Sequence, residues 1–223
     1  MTRSFFFVLI PFALFNLTAF AQTRATYKRK GFTLLFESQD PAFNPKEREK
    51  LVSVFFDVYP RLASEYNPRT SRKVTFVIDT AYDGVAATAS SRVVFSDKYL
   101  KINFLDIDVV THEVMHIVQD YGNSDGPVWL TEGIADYARN NFGVFNSEAG
   151  WSLPEYRSGQ HYTDSYRVTA RFLIWLESHV KPGLVKILDS QLRGHTYSDS
   201  SWKQLTGKSV DELWLSYSHT PAI

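Results

Sequence analysis

The chain has 223 residues, 24 basic and 24 acidic, with 44% hydrophobic residues and no cysteine. A balanced charge gives no electrostatic footprint for nucleic acid or another polyanion. The lack of cysteine removes disulfides, thiol catalysis and thiolate metal sites, so packing, with or without a metal held by other ligands, must stabilise the fold.

In chain order, Met1-Thr-Arg-Ser precedes an apolar run from Phe5 to Leu17, and Ala19-Phe20-Ala21 has the small-x-small form that signal peptidase cuts. Residues 1–21 are therefore expected to be a secretory signal, cleaved after Ala21. Pro11, Asn16 and Thr18 interrupt the run, which falls short of the roughly 18 uninterrupted apolar residues of a membrane span. The expectation is a secreted or periplasmic protein with no stable membrane insertion after cleavage. Losing Arg3 with the signal leaves one net negative charge on residues 22–223. That segment has the size and apolar content of a single domain, expected to be monomeric.

Lys28-Arg29-Lys30 is too short a basic run to bind a polyanion and reads as a solvated strand end. Phe32–Ser38 follows as a strand. Asn44-Pro45-Lys46-Glu47 then supplies an N-cap, a first-turn proline and a capping-box acid. Leu51, Val52, Phe55, Val58, Tyr59 and Leu62 recur at helical spacing up to the stop at Asn67-Pro68. Lys73–Asp79, Arg92–Ser96 and Tyr99–Phe104 read as strands, with turns at Gly84 and Asp97-Lys98. Beyond Asp106 the pattern turns helical, with helices predicted over 109–121, 128–142, 164–180, 183–193 and 209–218. The layout is α+β with the sheet N-terminal. The stretch from Val144 to Tyr162 carries no helical pattern, and loops of that length are often functional.

The chemistry concentrates in the first and second of the later helices. His112-Glu113-Val114-Met115-His116 is His-Glu-x-x-His; on a helix the two histidines project from one face and can grip one metal ion. Glu113 follows His112 by about 100° of helical turn, beside the metal, where it can take a proton from a water. Val110, Val114, Ile117, Val118 and Tyr121 form an opposite apolar stripe that anchors the helix. Glu132, opening the next helix, can supply a third, oxygen ligand, leaving one position open as in a catalytic zinc site. Asp136, one turn further on, can hold the ring N–H of a ligating histidine; the alternative is an ion pair or hydrogen bond with Arg139 or Asn140.

His-Glu-x-x-His followed after fifteen residues by Trp129-Leu-Thr-Glu132-Gly-Ile-Ala-Asp136-Tyr137 resembles the gluzincin peptidases, and more closely the plant and bacterial basic secretory protein family. Ser165-Tyr-Arg-Val-Thr-Ala-Arg-Phe-Leu173 and Gly207-Lys-Ser-Val-Asp-Glu-Leu-Trp214 are similar to later blocks of that family. The near-neutral charge differs from the plant members, which are named for being basic. The resemblance implies a zincin-like domain with a mostly antiparallel N-terminal sheet, an edge strand that receives extended peptide, and an active-site helix beneath it. It also implies zinc on His112, His116 and Glu132, with Glu113 as the catalytic base and a peptide or protein as substrate.

Peptide hydrolysis also needs a donor for the developing oxyanion. Tyr166 and His161 are the candidates, with Tyr137 behind them, and each has structural packing or hydrogen bonding as its alternative. Arg167 and Arg171 share a helical face, where ion pairing is favoured over binding a substrate carboxylate. Trp151, Tyr156 and Tyr162 are candidates for a substrate wall, or simply for tying the loop to the domain. Two competing functions remain open here. One is a secreted zincin scaffold that binds peptide or cell-wall glycan without turnover. The other, a structural-metal protein, fits poorly with only three protein ligands.

Overall fold

The computed structural model describes residues 23–122 and 126–223; the expected signal segment, residues 1–21, lies outside them. β1 (Thr23–Arg29) and β2 (Phe32–Ser38) form an antiparallel hairpin. Its two-residue turn, Lys30-Gly31, has positive φ at both positions (50° and 77°), the backbone twist that matches the flanking strands. The alternation in β2 buries Phe32, Leu34 and Phe36 on one face. The 22-residue helix α1 (Pro45–Tyr66) covers that face, with Tyr59 5.3 Å from Phe32 and Phe55 5.5 Å from Phe76, ring to ring.

Because α1 carries the chain back across the sheet, β3 (Lys73–Asp79) adds parallel to β2, and β5 (Arg92–Ser96) adds parallel to β3. β4 (Ala86–Ala89) pairs antiparallel with β5 and forms one edge of the order β1-β2-β3-β5-β4. The five-stranded sheet is therefore mixed, with two parallel and two antiparallel pairings, and not mostly antiparallel. Another difference is local. Tyr99–Phe104 does not extend the sheet: Ser96 accepts from the Tyr99 amide and starts the short helix α2 (Asp97–Ile102), with Asp97 in the first turn where the dipole favours it. Glu47 also departs from its expected place. Asn44 caps α1 through the Lys46 amide, and Glu47 turns inward, 7% exposed. Burial, then the charge of Asp97, pushes its pKa up to about 7.

The helical half is centred on α3 (Val109–Gln119), every residue of which is buried except His116. Its C-terminal carbonyls are satisfied from neighbouring elements: Asn67 Nδ2 donates to Val118 O (2.9 Å), Thr70 Oγ1 to Ile117 O (3.1 Å) and the Arg193 guanidinium to Val118 O and Gln119 O (3.2 Å each). Asp120, left-handed at φ 45°, ends the helix. α4 (Val128–Phe142) and α5 (Tyr166–His179) pack closely at Gly133, where a Cβ would stand 2.2 Å from Thr169 Cγ2. Thr169 is buried and its hydroxyl donates to Tyr162 O at 2.6 Å, so this contact fixes where α5 begins. α6 (Leu184–Arg193), α7 (Ser200–Thr206) and α8 (Val210–His219) complete the domain. α8 starts with a capping box between Ser209 and Glu212. Among the described residues no helix is long and apolar enough to cross a membrane.

Candidate metal centre and active site

A cleft of about 1290 Å³ opens between β4, the segment after α2, and helices α3 and α4. On its floor His112 and His116, one turn apart on α3, meet Glu132 from the first turn and a half of α4. His112 Nε2 is 3.1 Å from His116 Nε2 and 3.2 Å from Glu132 Oε2, and His116 Nε2 is 3.5 Å from the same oxygen. A tetrahedral ion held at about 2.0–2.1 Å sets its ligands roughly 3.3 Å apart, so this triangle has the size such an ion needs. Among the described residues no other group of three or more potential ligands converges in this way.

Further contacts orient the ligands. Asp136, one turn beyond Glu132, is 2.7 Å from His112 Nδ1, and Gln119 Oε1 is 2.6 Å from His116 Nδ1. Gln119 is itself held by donating from Nε2 to Thr131 O at 2.9 Å. Each ring therefore has one nitrogen engaged and the other aimed at the common point. Asp136 takes this role in preference to an ion pair with Arg139. Gln119 escaped the sequence reading, although its place three residues after His116 puts it on the same helical face.

Desolvation opposes charging the buried His112 ring, but hydrogen bonds to Asp136 and Glu132 and the charges of Asp136 and Glu113 outweigh it and raise its pKa to about 10. Glu132 is held down at about 2 against its own desolvation by hydrogen bonds from the two histidines. Both shifts describe a place that favours positive charge.

Glu113 is 6% exposed and faces the cleft. Thr88, on edge strand β4, donates its hydroxyl to Glu113 Oε2 at 2.7 Å, and the same Oγ1 is 3.1 Å from Glu113 O. One carboxylate oxygen is thus tethered to the strand while the other stays available. Across the cleft Tyr166 opens α5, its ring stacked on His112 with centroids 6.0 Å apart. Ser165 and Tyr166 both have positive φ (68° and 50°), unfavourable for side-chain-bearing residues and concentrated where Tyr166 stacks on His112. The charge of Glu132, then burial, raises the Tyr166 pKa and keeps the phenol as a donor.

Most of the other sequence candidates lie elsewhere. His161 is not among the residues lining the cleft: its Nδ1 is 2.8 Å from Thr163 Oγ1 in a capping box on the 3-10 turn Tyr162–Asp164, and its ring packs on Tyr162 and Trp214. The local turn chemistry claims its imidazole. Tyr137 is packed against the core, Tyr162 is buried with its hydroxyl on Asp211 at 2.7 Å, and Tyr156 sits against Trp214 and Tyr217. Trp151 alone of the loop aromatics lines the cleft, under the Arg139 guanidinium at 4.5 Å. Arg139 also pairs with Asp106 and donates to Asn146 Oδ1, and Asp108 accepts from the Phe145 amide, so the long loop is pinned at its start. Arg171 pairs with Glu155 and Pro221 O, the structural role expected, whereas Arg167 lines the cleft and donates to Ser152 O at 3.3 Å.

The sequence that carries this site matches one family profile, "Peptidase of plants and bacteria" (BSP), over residues 17–217. The chain belongs to that family. The resemblance read from the sequence is therefore borne out, and the family is one of peptidases. No curated protein matches the chain. Solved structures of similar fold include aminopeptidase A of Legionella pneumophila in complex with aspartic acid (TM-score 0.60, 13% identity, 87% of this chain and 27% of that one). An M1 zinc metallopeptidase from Deinococcus radiodurans gives 0.52 at 14% identity, over 82% of this chain and 48% of the other. An aminopeptidase N family protein from Idiomarina loihiensis gives 0.52 at 10%, over 88% and 46%. The chain thus spans a quarter to a half of those proteins, and at these identities the likeness establishes the α+β zincin-like fold.

Proposed function

We propose that this chain is an exported zinc-dependent metallopeptidase, with zinc held by His112, His116 and Glu132 and Glu113 as general base. The observation that carries this reading is the triangle of ligand atoms, 3.1, 3.2 and 3.5 Å on its sides, with Glu113 beside it. Two imidazoles and one carboxylate without a thiolate suit zinc in an open, catalytic site. When bound, zinc supplies Lewis acidity that polarises the scissile carbonyl and makes a water easier to deprotonate.

The chain's own residues do the rest. Glu113, tethered by Thr88, takes the proton of the attacking water and passes it to the leaving amine. Tyr166, on the opposite wall, donates its phenol proton in a hydrogen bond to the carbonyl oxygen as charge develops there. Asp136 and Gln119 keep the two imidazoles in the ligating tautomer. The substrate lies extended along β4, the exposed sheet edge beside the base. Export rests on the Phe5–Ala21 segment of the sequence.

The test is hydrolysis of a mixed peptide library by the zinc-loaded protein, beside Glu113→Gln and a chelated sample, with metal assayed in each. Peptide cleavage lost in both controls, with zinc retained by Glu113→Gln, is the expected result. Stoichiometric zinc with no peptide cut would instead support a binding protein without turnover.

A further inference from the structure

Large apolar side chains are few on the exposed surface, yet one set gathers inside the cleft. Val85, Ile102, Phe104 and Leu105 are 44%, 68%, 58% and 41% exposed, and all four line it. They come from two segments that the backbone ties together: Val85 O accepts from Ser96 N at 3.0 Å, at the start of the helix that leads to Ile102. The turn beyond that helix is braced by Asn103 N to Tyr99 O (2.8 Å), Asp106 N to Asn103 O (2.8 Å) and Tyr99 Oη to Asp106 Oδ2 (2.6 Å). The wall is thus held in place rather than folded away, and Asp106 within it is neutralised by Arg139. Holding an apolar cluster open to water is unfavourable unless something covers it in use.

Resting on the peptidase reading above, we propose that this wall is a specificity subsite, and that the cleft selects peptides bearing one large apolar side chain, such as Leu or Phe, to one side of the cleaved bond. Val85 immediately precedes β4, three residues before Thr88, the residue bonded to Glu113. At about 3.4 Å per residue the wall begins roughly 10 Å along the strand from the base. An extended peptide on β4 has the same rise, so its apolar residue falls about three positions from the bond beside Glu113. The occupant is a substrate side chain because the wall and the floor line one cleft, along which β4 runs.

The experiment measures equilibrium binding to the zinc-loaded Glu113→Gln protein of labelled peptides that differ by Phe or Ser at one scanned position, alongside the wild-type cleavage profile. At one position Phe should bind about tenfold more tightly than Ser. That preference should fall away in Phe104→Ser and in Ile102→Ser, which keep their zinc and melting temperature because both side chains are largely exposed. Equal binding of Phe and Ser peptides at every position, a preference unchanged in the Phe104→Ser/Ile102→Ser double variant, or no peptide binding at all overturns the subsite. A Phe preference in binding without any wild-type cleavage leaves the subsite standing and removes the peptidase reading. Cleavage with no apolar preference, together with flat binding, does the reverse.

Discussion

The floor and the rim of the cleft are built on opposite principles. On the floor, α3 and α4 present His112, Glu113 and Asp136 from almost complete burial, and each ligating ring has its own hydrogen-bond partner. On the rim, β4, the turn after α2 and Tyr166 are exposed, apolar in places, and include two successive residues at positive φ. A floor that would hold the proposed metal is made of helices, whose spacing sets its three candidate ligands. The rim, where the proposed substrate would enter, is made of edges and turns, placed by contacts far apart in the chain.

If the rim contributes to chemistry and not only to shape, Tyr166→Phe should lower kcat about a hundredfold, with KM and zinc affinity little changed. Steady-state kinetics on the zinc-loaded variant measure this, and a loss confined to KM would reduce Tyr166 to a substrate wall. On the floor, Asp136→Asn should weaken zinc about 10–100-fold in chelator competition by disturbing the His112 tautomer. Gln119→Leu should act in the same direction on His116. A zinc affinity unchanged in both would mean that the α3 spacing alone sets the ligands.

Thr88 joins the two regions, since it stands on the rim and holds a floor residue. Thr88→Val should lower kcat about tenfold at constant zinc content, and Thr88→Ser should restore most of it. Failure of Ser to rescue would show that β4 packing, and not the hydroxyl, is what matters. The smallest effect concerns the rim's foundation, where Glu47 is buried beside Asp97 and Lys101 with its pKa raised to about 7. For a raised carboxyl, the folded state holds the proton more tightly than the unfolded one. Its stabilising contribution is full below about 4.5 and is lost as pH rises through about 7. Glu47→Gln should therefore raise the melting temperature by about 3–6 °C at pH 8 and by less at pH 5, and a shift independent of pH would contradict the assignment.

The same division explains what the sequence made legible. His112, Glu113 and His116 stand out because their spacing is a property of one helix, and Asp136 follows from Glu132 by another turn of helix. α4 was delimited at both ends, and α3 at its start, by the same apolar periodicity. β4 is not legible in the sequence, because Ala-Ala-Thr-Ala has little strand propensity and is held as a strand by pairing with β5. Tyr99–Phe104 has the alternating apolar pattern of a strand, while the Ser96 cap that starts the helix Asp97–Ile102 lies just upstream. His161 and Tyr166 are five residues apart and equal in sequence terms. The close contact at Gly133 and Thr169, together with the strained backbone at Ser165, brings one into the cleft and leaves the other on a turn.

The most direct test of the central claim is the zinc content and zinc K-edge absorption of the folded protein, beside His112→Ala/His116→Ala. One zinc per chain with two imidazole nitrogens and oxygen ligands at about 2.0–2.1 Å, and no zinc in the double variant, is the expected result. A folded, zinc-supplied chain without stoichiometric metal, or zinc that persists in the double variant, would contradict it.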